Sequence, residues 1–118
     1  NGGVFMQLLV LVLNKVDSLE DILKGFIKAE IKGATILDSV GMARVLTHDN
    51  TDDLPLFGSL RMVLNENRPF NKTIFVVLKE EKVPDAIKAI KDVLGDLSKP
   101  DLGVLFTIPL SYTEGICS

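Results

Sequence analysis

One cysteine, one histidine, one tyrosine and no tryptophan occur in 118 residues, and each scarcity removes a class of protein. The lone cysteine, Cys117, cannot close an internal disulfide, so the fold is not a disulfide scaffold and a reducing compartment, the cytoplasm, is the expectation. The lone histidine, His48, has no second His and no neighbouring Cys, which leaves a zinc site without ligands. A Ser-His or Cys-His pair likewise lacks a scaffold, because Ser39 and Ser59 carry no elbow motif and the cysteine lies far from the histidine. No Walker-type or dinucleotide glycine pattern occurs either. No catalytic residue is expected, and the chain reads as a non-enzyme. Positive charge is also not concentrated: thirteen Lys and Arg are interspersed with sixteen Asp and Glu for a net charge of -3. With no basic stripe to neutralise phosphates, nucleic acid is not an expected partner. The most apolar run, "VFMQLLVLVL" at 4–13, is ten residues long, too short for a hydrocarbon core of about 30 Å. It reads as a buried strand.

What remains is an ordinary globular composition, 47% hydrophobic and 25% charged, with an aliphatic core and a length suited to one domain spanning 1–118. After the strand at 5–13, Ser18 is placed to cap a helix, with Asp21 as the acidic half of a capping-box-like pair. Leu19, Ile22, Leu23, Phe26 and Ile27, continuing to Glu30 and Ile31, set an apolar stripe at helical spacing, and Gly33 is the expected stop. Alternation of Ile36, Val40 and Met42 predicts a second strand from Ala34 to Leu46. The pattern then repeats. "KTIFVVLKEE" (72–81) predicts a strand, and Pro84 opens a helix whose inward stripe is Val83, Ala86, Ile87, Ile90, Leu94 and Leu97. Lys88, Lys91 and Asp92 fall on its outer face, and "GVLFTIPL" (103–110) closes the order with Pro109 near its end.

Two such units in tandem predict an α+β, ferredoxin-like β-α-β-β-α-β fold, a four-stranded antiparallel sheet with both helices on one face. The other face should then be open. Its first and third strands offer Leu, Val, Ile and Phe on both sides, which is too apolar for water and calls for cover by identical chains.

Between the units lies a segment of unusual length, 47–71, expected to be a mobile loop. "THDNTDDLP" is polar, and "LFGSLRMVLNEN" (56–67) can form a short helix with Leu56, Leu60, Met62 and Val63 seeking a partner. His48, Asp49, Asp52 and Asp53 are the one cluster resembling metal ligands; they lack calcium-loop spacing and read as an acidic turn, so no metal is assigned. Gly41 in "SVGMAR" and Gly103 in "KPDLGVLF" read first as bulge or turn glycines.

The order of parts, with "KGATILDSVGMARV" leading into the long loop and "DLGVLFTIPL" forming a glycine-bearing turn and last strand, resembles the nitrogen regulatory protein PII and its PII-like relatives. The resemblance spans Met6 to about Ile116. It implies a cytoplasmic homotrimer that binds an adenine nucleotide (ATP, ADP or AMP) between subunits. Through the loop such a regulator signals to a protein partner, a transporter or metabolic enzyme. Carried over by position, Gly41, Met42, Ala43 and Arg44 form the loop base, and Ser98, Lys99, Asp101 and Gly103 the opposing turn, with Arg44 or Lys99 meeting phosphate. His48, Asp49, Leu56, Phe57 and Arg61 fall in the partner-binding loop. The chain also departs from the pattern: Val104 stands where the family carries a phosphate-binding lysine, and Val45 where it carries a glutamine linked to magnesium and 2-oxoglutarate. The tail "SYTEGICS" has no basic residue, and the loop has no tyrosine to be modified. These departures point to a less charged nucleotide, a mono- or diphosphate, or another small ligand. Two alternatives share the architecture. A divalent-cation-binding trimer of the cation-tolerance type would draw on His48 and the acidic loop. An enzyme of the acylphosphatase type needs an arginine ending the first strand and an asparagine on the third; here Asn14 and Lys15 follow the first strand.

Overall fold

The computed structural model describes residues 5–41 and 71–116. Along them run β1 (Met6–Leu13), a 3-10 turn (Val16–Ser18), α1 (Leu19–Lys28), β2 (Ala34–Ser39), β3 (Asn71–Lys79), a second 3-10 turn (Glu80–Lys82), α2 (Val83–Leu94) and β4 (Gly103–Leu110). The strands form one sheet in the order β2-β3-β1-β4, with every neighbouring pair antiparallel. This is the ferredoxin-like arrangement that the repeated pattern predicts.

β1 is central and has no free edge, which explains why it is the most continuously apolar stretch. Leu9, Leu11 and Leu13 face the helices with no exposed surface. Val10 points to the opposite face and is still only 4% exposed, flanked by its register partners Phe75 on β3 and Phe106 on β4. The core on the helix side is completed by Ile74, Val76 and Leu78 from β3, Ile22 and Phe26 from α1, and Ala86, Ala89, Ile90 and Leu94 from α2. Val83 and Ile87 pack against it as the stripe requires, and Pro84 lies in the first turn of α2; Leu97, assigned to the same helical stripe, packs there from beyond the helix, which ends at Leu94. Ala89 extends that stripe for a reason the spacing does not reveal. A Cβ placed on Gly25 would come 3.3 Å from the Ala89 Cβ, so the two helices approach through their smallest side chains.

Five local expectations are corrected. Ser18 does not cap α1 with its side chain: the preceding 3-10 turn runs straight into the helix and holds Ser18 in helical geometry (φ -87°, ψ -5°). A cap needs an extended backbone to aim its oxygen at the first amides. Gly33 does not end α1. Glu30 takes the left-handed conformation (φ 63°), and the Ile31 and Glu30 amides donate to the Phe26 and Ile27 carbonyls at 2.8 and 3.0 Å. That pair of bonds is a Schellman closure with glutamate where glycine is usual, and it docks Ile31 on the core at 4% exposure. Ile27, assigned to the inward stripe, is 71% exposed, since one step beyond Phe26 rotates a side chain about 100° around the axis. The second strand ends at Ser39, so Val40 and Gly41 lie past it, and 42–46 fall outside the described residues. At its other end the long segment stops short of the expected position: Asn71 is the first residue of β3 and is 3% exposed.

The face away from the helices carries Leu8, Val10 and Val12 from β1, Phe75 and Val77 from β3, and Val104, Phe106 and Ile108 from β4, aligned by the strand register. Phe106 and Ile108 are each 43% exposed and Val104 57%. An open apolar face, as the sequence predicts, is what the described residues present.

Candidate functional site

Antiparallel pairing brings four strand ends to one end of the sheet. Leu13 pairs with Lys72 on one side and Gly103 on the other, and Ser39 pairs with Asn71. Gly41, just past β2, and the turn between α2 and β4 are therefore both at this end. They are not adjacent. β2 and β4 are opposite edges of the sheet, three strand spacings or about 14 Å apart.

The turn before β4 is built from short-range bonds. Gly95 (φ 78°) leaves α2 with its amide donating to the Lys91 carbonyl at 2.8 Å. The Asp96 carboxylate then accepts the Ser98 amide at 3.0 Å, and the Lys99 amide donates to the Asp96 carbonyl at 3.2 Å. The Ser98 backbone bond, followed by a bond from its hydroxyl and the charge of Lys91, holds the Asp96 carboxyl below its ordinary value. Ser98 thus commits its amide to Asp96; Ser98, Lys99 and Asp101 are all exposed, Asp101 in left-handed geometry (φ 67°). The next carbonyl, Leu102, accepts two amides, from Asn14 at 3.0 Å and Lys15 at 3.2 Å. Gly103 is required by the packing of the strands, since a Cβ there would lie 2.6 Å from the Val12 carbonyl oxygen and only glycine lets β4 begin this close to β1. Val104, at the position of the family's lysine, pairs with Val12 and stands on the open sheet face.

On the β2 side, Gly41 lies against Asn71, whose Nδ2 is 3.6 Å from where a Gly41 Cβ would be. Asn71 belongs to a polar chain that the sequence pattern does not announce. The Ser39 hydroxyl bonds the Asn71 carboxamide oxygen, Thr73 Oγ1 is 2.7 Å from Ser39 Oγ, and Asn71 Nδ2 donates to Asn14 Oδ1 at 3.4 Å. A signal was present: Ser39, Asn71, Thr73 and Asn14 are the polar members of columns that are otherwise apolar, all at one sheet end. Lys72, on the helix side of the same end, is paired with Asp38.

Met42, Ala43, Arg44 and the loop residues His48, Asp49, Leu56, Phe57 and Arg61 lie outside the described residues. Among the described residues no group of three or more His, Cys, Asp or Glu could hold a metal ion, and no helix is long and apolar enough to cross a membrane. For acylphosphatase chemistry, Asn71 does stand on the third strand, yet its carboxamide is committed to Ser39 and Asn14, and β1 ends in Leu13 and is followed by Asn14 and Lys15, with no arginine there.

No protein-family model matches the chain, and no curated protein matches it in sequence. Solved structures do match it. GlnK of B. subtilis, in its ATP complex, superposes with a TM-score of 0.60 at 15% identity, covering 91% of this chain and 83% of that one. Arabidopsis thaliana PII bound to citrate gives 0.58 at 16% identity, covering 92% and 78%. A functionally unknown protein from Pediococcus pentosaceus gives 0.57 at 15% identity, covering 95% and 98%. In fold, then, this is a PII-like chain. At such identities the likeness extends to the architecture.

Proposed function

We propose that this protein is a PII-like signal-transduction regulator and not an enzyme. It works as a cytoplasmic homotrimer whose open sheet faces cover one another. A small ligand, an adenine nucleotide in our reading, sits in clefts between subunits. The observation that carries the proposal is the half-built site: Gly41 and the turn before β4 share one sheet end yet follow and precede strands at opposite edges, with β3 and β1 between them. A neighbouring protomer's edge would supply the missing wall, and the apolar face gives a reason for that neighbour to be there.

Anionic ligands suit what is present. Lys99 and Lys15, the latter 3.9 Å from Asp17, are exposed cations on the β4 side, and Gly41 lets backbone amides approach a phosphate on the β2 side. Met42, Ala43 and Arg44 would extend that wall, with Arg44 meeting phosphate, while Ser98, Asp101 and Gly103 would shape the opposite one. With Val104 on the open face and Ser98 bound to Asp96, the β4 turn offers fewer phosphate donors, which favours AMP or ADP over ATP. Two of the similar structures hold multiply charged anions, ATP in one and citrate in the other, which supports the ligand class. The segment 47–70, through His48, Asp49, Leu56, Phe57 and Arg61, would carry the signal to a transporter or metabolic enzyme.

The test is calorimetry with ATP, ADP, AMP and cyclic AMP, each with and without magnesium and 2-oxoglutarate. Saturable binding of one site per protomer, strongest for AMP or ADP, is the expected result. Absence of binding by any of them to an assembled protein would remove the nucleotide reading.

A further inference from the structure

The polar chain Thr73, Ser39, Asn71 and Asn14 has no part in the proposed ligand contacts, and its placement is costly. Asn71 is 3% exposed, and a carboxamide buried beside apolar columns must have every polar atom satisfied. It does: its oxygen takes the Ser39 hydroxyl and its nitrogen donates to Asn14 Oδ1 at 3.4 Å. With the Ser39 proton committed to Asn71, the Thr73 hydroxyl donates to Ser39 at 2.7 Å. All donors then point the same way, from Thr73 towards Asn14, an arrangement in which each bond polarises the next.

The chain ends on the opposite wall. The Asn14 and Lys15 amides hold the Leu102 carbonyl at 3.0 and 3.2 Å, so the residue that receives Asn71's bond also anchors the turn before β4. The same Asn71 nitrogen is 3.6 Å from where a Cβ on Gly41 would lie. Among the described residues, Asn71 is therefore the side chain bonded both to Ser39, two residues before Gly41, and to Asn14, whose amide holds the Leu102 carbonyl.

We propose that Asn71 is a positioning residue that sets the spacing between Gly41 and the turn Asp96–Leu102. It governs affinity at the sheet end without touching the ligand. The proposal rests on the reading of this end as the ligand site. A purely structural role would make Asn71 one stabilising bond among many, with no special hold on Leu102.

The experiment compares Asn71→Ala with Thr73→Val, which removes the first donor of the same chain but leaves the bond from Asn71 to Asn14. Hydrogen exchange of the Asn14 and Lys15 amides reports the hold on Leu102, and calorimetry with AMP and ADP reports the site. In Asn71→Ala, exchange at these two amides should quicken, and the nucleotide Kd rise, by about tenfold each, the equivalent of one buried hydrogen bond left unmade. Val10 and Leu11 amides should stay protected. Thr73→Val should change neither reading more than about twofold, since its loss lies outside the tie. Asn14→Ala cuts the same link at its half-buried end, and must reproduce the result should Asn71→Ala fold poorly. Unchanged exchange at Asn14 and Lys15, or equal effects from Thr73→Val, would overturn the proposal. Wild-type protein that binds neither nucleotide would remove the nucleotide reading, and the exchange arm would still decide whether Asn71 holds the two walls together.

Discussion

On the helix side of the sheet Leu9, Leu11, Leu13, Ile74 and Val76 have no exposed surface, while on the other side Leu37, Val104, Phe106 and Ile108 keep 43 to 57% of theirs. The two sets are equally apolar. An antiparallel sheet with one solvated face alternates apolar and polar residues, because the period of a strand is two. This sheet abandons that alternation along most of β1, β3 and β4, and restores polarity at one end, where Ser39, Asn71, Thr73 and Asn14 gather. The comparison teaches that the sheet is apolar on both faces, while the helices of the protomer cover only one of them.

The sharpest way to break this comparison is Val77→Asp. Val77 lies on the open face opposite Leu8, and a carboxylate forced against another copy's apolar face loses its hydration without a partner. Assembly should be abolished, read as a fall to protomer mass by light scattering; normal assembly at native stability would show the facing to be wrong. Leu11→Ala on the helix side should instead cost about 2 to 5 kcal/mol in urea unfolding, from lost burial plus the cavity left behind. A loss below about 1 kcal/mol would mean that the covered face can collapse around the gap.

Arg44→Ala separates the site from both faces: an anionic ligand should weaken by about 1 to 3 kcal/mol in calorimetry while the assembled mass stays the same. Unchanged affinity would take Arg44 out of the site. A smaller effect of opposite sign is expected at Glu30, which spends about 1 to 2 kcal/mol in its left-handed conformation. Glu30→Gly should stabilise by up to about 1 kcal/mol after the greater freedom of the unfolded glycine chain is subtracted, and a lowered melting temperature would contradict the Schellman closure. The smallest effect belongs to Asp96. Its carboxyl is held below the ordinary value of 3.8, so its contribution to the turn is complete above that value and fades as pH falls through the folded one. Carboxyl NMR should show this depression, and it should shrink in Ser98→Pro, which removes the amide.

Most of the framework was legible because it rests on periodicity. β4 runs over the residues that its apolar pattern marks, and β1 and α2 start within a residue or so of their signals. What escaped depends on geometry that no spacing encodes. Gly33 looked like the better helix stop, but Ile31 had to reach the core, and that forced Glu30 into the left-handed turn. Ser18 looked like a cap until a 3-10 turn brought it into the helix. Asn71 looked like the last residue of a loop, since a lone polar residue before "KTIFVV" gives no hint that Ser39 and Asn14, distant in sequence, will meet it. Gly41 and Gly103 were found as site candidates by resemblance, and their separation at opposite sheet edges became visible only through the strand order.

The central claim is that identical chains cover the open face. Sedimentation equilibrium of the purified protein across a hundredfold range of concentration tests it most directly. The account predicts a single species of three times the protomer mass, unchanged on dilution. A stable, well-folded monomer throughout that range would contradict it.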